Sequence, residues 1–150
     1  MASLAMIGAV AMDEPDRLGW QAGVRAMTLD PQGTHLAEAW RQVGTIDADP
    51  AFAPDAVLRH REVVDKLRAG TRWHEAYLAV FGTDMMSVLG RVTAPSLLLC
   101  GSSDILHPYV PATRRALPQA HYVPLAGGGY VLDQNPRAVL DPYIAFLSTI

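Results

Sequence analysis

Ten residues constrain this chain more than any others: Pro95-Ser-Leu-Leu-Leu-Cys-Gly-Ser-Ser-Asp104. An apolar run with no polar alternation, closed by glycine and followed by aspartate, reads as a parallel strand buried on both faces that delivers a carboxylate at its carboxyl end. Open α/β sheets gather their chemistry at that edge. The residues that follow continue the rhythm. Residues 96–101, 110–117, 120–125 and 137–147 predict strand, helix, strand, helix, which implies parallel pairing with right-handed crossovers.

Size and charge narrow the class. A chain of 150 residues, half of them apolar, suits one α/β domain with a real core. Its 12 basic residues are scattered among 15 acidic ones for a net charge of −3, so neither nucleic acid nor an anionic membrane is an expected partner. The single cysteine, Cys100, lies inside the apolar run, which excludes a disulfide framework and makes the thiol a small core hydrophobe. No apolar stretch approaches the roughly 18 residues needed to span a bilayer. The first twelve residues lack the basic start of a signal peptide, so a cytoplasmic location is expected.

Before Pro95 the pattern differs. Residues 3–10 form a short apolar run closed by Asp13-Glu-Pro15, as a buried strand opening into a turn would. From Asp16 to Leu89 the spacing is helical, over 17–27, 34–43, 53–69, 72–81 and 84–89. The third of these starts at Pro54-Asp55 and sets Val57, Val63, Val64 and Leu67 on one face, as an amphipathic surface helix does.

Taken together, Val92-Thr-Ala-Pro-Ser-Leu-Leu-Leu-Cys-Gly-Ser-Ser-Asp104, Leu117-Pro-Gln-Ala120, Leu125-Ala-Gly-Gly-Gly129 and residues 136–147 closely resemble the last third of the α/β-hydrolase superfamily. The resemblance implies a partial α/β-hydrolase fold with about three parallel strands, flanking helices and a helical cap. Residues 1–13 would be a strand of the core, 14–90 the cap or lid, and 91–150 the carboxyl-terminal βαβα part. It covers nearly the whole chain but only the carboxyl-terminal half of a family member. The opening Met-Ala-Ser-Leu reads like the interior of a strand, so a fragment of a longer frame is one expectation.

The family's chemistry needs a nucleophile on a strained strand-to-helix turn, usually Gly-x-Ser-x-Gly. None of Ser3, Ser87, Ser96, Ser102, Ser103 and Ser148 has glycine at both −2 and +2, and neither Asp84, Asp104 nor Cys100 has the flanks to replace them. By the resemblance, Asp104 stands where the family keeps the carboxylate that orients the catalytic histidine. By its residue type alone it also suits a cap for the turn before Pro108. The histidine position, seven residues before Pro136, holds Gly129, with Tyr130 matching the apolar or aromatic residue that follows. Glycine neither takes nor passes a proton.

Among the other histidines, His107 is the candidate for a relocated base, three residues past Asp104. His121 opens the last strand, and roughly 25 Å of extended chain separates it from Gly129. His35, His60 and His74 show no metal-ligand spacing, and no metal or other cofactor is expected. The run Gly127-Gly-Gly129 is a weak match to a phosphate cradle, because the helix is expected only after Asn135-Pro136. Trp40 and Trp73 in the cap, with Leu106 and Tyr130, are the residues expected to line an apolar substrate pocket.

The expected chemistry is therefore ancestral hydrolysis of an ester or related bond in a small apolar substrate, without turnover by this chain alone. A non-catalytic ligand-binding or assembly module, or a fragment with no function of its own, is the alternative. The strand at 3–10 is expected to present an open edge, through which the chain pairs with a missing amino-terminal half or with itself.

Overall fold

The computed structural model describes residues 3–9, 11–47 and 49–150. The chain forms two compact units: residues 1–12, 46–53 and 85–150 build the first, and 13–45 with 54–84 the second. Within the span 14–90 expected as cap, residues 46–53 and 85–90 thus group with the sheet.

The first unit is a three-stranded parallel sheet in the order β1 (Leu4–Ile7), β2 (Ser96–Gly101), β3 (His121–Leu125). Leu4 pairs with Ser96 and Leu97 with His121, so the three strands start in near alignment. All of β2 is buried. Alternation sends Leu97 and Leu99 to one face, where they meet Leu125, Val131, Val139 and Phe146 of β3, α7 (Val131–Gln134) and α8 (Pro136–Leu147). Leu98 and Cys100 go to the other face, against Ala9 and Val110. That side continues through α5 (Met85–Leu89) and α6 (Val110–Ala116), where Leu89, Ala116 and Leu117 pack with Ala11. The unbroken apolar run is what a central strand with helices on both faces requires.

The buried Thr113 hydroxyl ties α6 to the segment after β1, accepting from the Ala11 N–H at 3.2 Å and donating to the Ala11 carbonyl at 3.3 Å. Residues of a parallel strand bond alternately to one side and the other. Leu4 and Gly8 donate to Pro95 and Leu99, so Ala5 and Ile7 face away from β2. On β3, Ser102 bonds the Leu125 carbonyl, which turns Tyr122 and Pro124 outward.

The second unit holds α1 (Glu14–Gly23), α2 (Thr34–Val43), α3 (Ala56–Arg68) and α4 (Trp73–Gly82). Helix α1 packs on α4, with Trp20 stacked on Phe81 at 5.5 Å. Helix α2 packs on α3, where Lys66 Nζ donates to Gln42 Oε1 at 2.5 Å. Asp55 caps α3 by accepting from Val57 and Leu58 N–H. Asp30 braces the start of α2 through Thr34 and His35, and those hydrogen bonds, the Thr34 hydroxyl's first, hold its carboxyl well below the usual range.

Three elements depart from the sequence reading. Helix α1 runs from 14 to 23 rather than 17 to 27, because Pro15 suits its first turn and it ends at Gly23. Strand β1 stops at Ile7, where Gly8 turns the chain with φ 87°, and Val10 lies outside the described residues. Helix α7 fills residues expected to be loop: it begins at Val131, with Tyr130 alone between it and the glycine run, and Asn135 at φ −146° separates it from α8.

Candidate functional site

The carboxyl ends of the three strands bring four segments of the first unit together. From β1 comes Gly8, from the loop after β2 Asp104 and Leu106, from the loop after β3 Gly127 to Gly129, and from residues 46–53 Asp47. The loops after β2 and β3 are stitched by Ser103 N–H to the Gly127 carbonyl at 2.9 Å. Gly101 permits this approach: a Cβ there would lie 2.6 Å from the Gly127 oxygen and 2.7 Å from that of Gly128, closer than packing allows.

Asp104 sits at this edge and also closes its own turn. Its Oδ1 accepts the Leu106 N–H at 2.8 Å and its carbonyl accepts the His107 N–H at 2.8 Å. Both sequence readings of this residue are therefore compatible with one geometry. A Cβ built on Gly129 would stand 4.0 Å from the Asp104 Cγ, and one on Gly8 would stand 3.8 Å from its Oδ2 and 3.5 Å from Leu106 Cδ1. Leu106 is thus brought to the Asp104 carboxylate. His107 follows on a short 3₁₀ turn, His107–Tyr109. His121 pairs with Leu97 at the opposite, amino-terminal end of the sheet.

The residue that sequence reasoning missed is Asp47. It forms an isolated antiparallel bridge with Asp104, and its Oδ1 accepts the Gly129 N–H. A Cβ on Gly128 would overlap that oxygen. The glycine at 128 therefore leaves room for the Asp47 carboxyl, whose partner Gly129 lies 82 residues along the chain. Burial pushes the Asp47 carboxyl up, the Gly129 N–H pulls it down, and the neighbouring Asp104 charge pushes it up again. Nothing in the local sequence Ile46-Asp47-Ala48-Asp49-Pro50 marks the first aspartate over the second.

Cys100, one residue from the end of β2, has its thiol pushed up to about 11, by burial first and by Asp104 second. A thiol held protonated is a poor nucleophile. Tyr130 is buried, and its carbonyl accepts the Asp133 and Gln134 N–H groups at the start of α7. Trp40 and Trp73 belong to the second unit. Arg59 lies over the Trp40 ring at 4.7 Å and bonds its carbonyl at 2.8 Å, while Lys66 lies 3.8 Å from the Trp73 ring and Tyr77 meets it edge-on at 5.1 Å. The described residues hold no group of three metal-ligating side chains.

No family model matches the chain, and no curated protein matches it in sequence. Solved structures match its fold. A bromoperoxidase from Bacillus anthracis is similar over 97% of this chain and 58% of its own, with a TM-score of 0.67 at 16% identity. A hydrolase from Pseudomonas aeruginosa PA01 is similar over 97% of this chain and 54% of its own, with a TM-score of 0.61 at 19% identity. Epoxide hydrolase A from Mycobacterium thermoresistibile matches over 99% and 62%, with a TM-score of 0.58 at 19% identity. The chain therefore has part of an α/β-hydrolase fold, spanning a little under three fifths of the length of the bromoperoxidase.

Proposed function

We propose that this chain is the cap and final strands of an α/β-hydrolase-like protein whose ancestral reaction was hydrolysis of an ester or related bond in a small apolar substrate, and that these 150 residues alone do not turn it over. One observation carries the reading: the backbone position facing Asp104 is a glycine, and a second carboxyl group lies against it. Acyl transfer of this type passes a proton from nucleophile to imidazole while a carboxylate orients the ring. Asp104 fits the last role, Gly129 cannot fill the second, and the protonated Cys100 thiol does not fill the first. What persists is ground for binding, with Leu106 beside Gly8 and Asp104 at the rim. Small apolar molecules are the ligands this reading assigns to it. The free side of β1, where Ala5 and Ile7 are exposed, is the side along which the remaining strands of such a core would pair.

The test is hydrolysis of p-nitrophenyl acetate and butyrate by the purified chain, with Asp104→Ala and His107→Ala alongside. No turnover above the buffer rate is expected from the folded protein. Turnover that both substitutions abolish would mean a relocated base and an unrecognised nucleophile, and the reading would fall.

A further inference from the structure

Asp47 is held by more contacts than a passing loop needs. Its backbone bridges Asp104, its Oδ1 takes the Gly129 N–H, and its Oδ2 is shut away from solvent with no hydrogen-bond donor among the described residues. At the other end of the same segment, Gln134 Nε2 on α7 donates to the Phe52 and Ala53 carbonyls at 2.9 and 3.2 Å. Between the two anchors, Asp49 caps a 3₁₀ turn, Pro50–Phe52, by accepting the Ala51 N–H at 2.9 Å. The segment is thus stapled to the loop after β3 at one end and to α7 at the other.

We propose that residues 46–53 are a proton-dependent strap over the carboxyl ends of β2 and β3, closed while Asp47 carries its proton and released when Asp47 ionises beside Asp104. Two carboxylates set against each other by a backbone bridge do not both carry charge without cost. A charge on Asp47 would also sit partly on Oδ2, which neither water nor a donor reaches. The surrounding elements offer little relief. The loop after β3 presents backbone alone through its three glycines, the loop after β2 presents Asp104, and the strap itself adds Asp49, whose Oδ1 is already engaged by Ala51.

The direction of the effect follows from the raised Asp47 carboxyl. The folded, closed state binds the proton more tightly than a solvated aspartate of pKa about 3.9 does. Closure is therefore fully stabilised below that value and weakens as pH rises through the raised one. Release frees the Gly129 N–H, uncovers the Gly128 backbone and opens the bridge to Asp104 together, so strap and site are coupled by one proton. The strap does not depend on ester turnover, and its test stands apart from that of the proposed function.

The experiment is amide hydrogen exchange of Gly129 in the full chain across pH, expressed as a protection factor. Wild-type protection is expected to fall by about tenfold per pH unit across the Asp47 titration, the slope of one released proton. In Asp47→Asn, a neutral isostere whose carbonyl still accepts from Gly129, protection is expected to stay flat. In Asp104→Asn, the fall is expected at lower pH, because the like charge is gone. Flat wild-type protection overturns the proposal, as does an equal fall in Asp47→Asn. Should Asp47→Asn not fold, a fall left in place by Asp104→Asn overturns it as well.

Discussion

Replacing Gly128 by alanine provides a test of the seat that Asp47 occupies. A Cβ at this position overlaps Asp47 Oδ1 and comes within 3.1 Å of Oδ2, and the three nearest atoms it meets all belong to that carboxyl group. The methyl must therefore expel Asp47, breaking its bond to Gly129. With Asp47 holding its proton in the closed strap, this is a neutral hydrogen bond, whose loss costs about 0.5–1.5 kcal/mol. In an Asp47→Ala background the clash is absent. Gly128 has no left-handed φ, so alanine there should stabilise by about 0.4–1 kcal/mol through the lower entropy of the unfolded chain. The same substitution is thus expected to change sign between backgrounds, with a coupling of about 1–2.5 kcal/mol. Urea unfolding of the four proteins, followed by circular dichroism at one fixed pH, measures it. Equal destabilisation of both backgrounds by Gly128→Ala would refute the reasoning.

Two other substitutions and reagents probe the core beneath the site. The Cys100 thiol, fully buried and pushed up to about 11, should resist a chromogenic disulfide reagent at mildly alkaline pH until denaturant is added; rapid labelling of the native chain would contradict its placement. Leu98→Ala, on a residue with no exposed surface between β2 and α6, should cost about 3–5 kcal/mol in denaturant unfolding, against less than about 1 kcal/mol for Leu132→Ala, half exposed on α7.

The legible parts of the fold are those whose signals are local. Strand β2 lies where the sequence sets it, because the run of leucines is bounded by Pro95 and by the glycine against which another loop closes. Asp104 was findable for the same reason: strand, glycine and carboxylate follow one another within ten residues. Helix α7 was not, because three glycines suppress a helical reading although the Val131 N–H bonds back to Gly128 and starts a turn at once. Asp47 was illegible for a deeper reason. Its role is conferred by Asp104 and Gly129, which are 57 and 82 residues away and reach it only through tertiary structure. The one trace in the sequence is indirect, a glycine run longer than the turn itself needs.

The two margins of the sheet are chemically unlike. On β3 the outward position Pro124 has no N–H to offer, so a strand arriving there finds a broken template. On β1 the outward positions Ala5 and Ile7 keep theirs, with no proline or charge between Leu4 and Ile7 to deter a newcomer. The sheet thus has a dead end and a live end, and its sequence permits growth in one direction, away from the last strand.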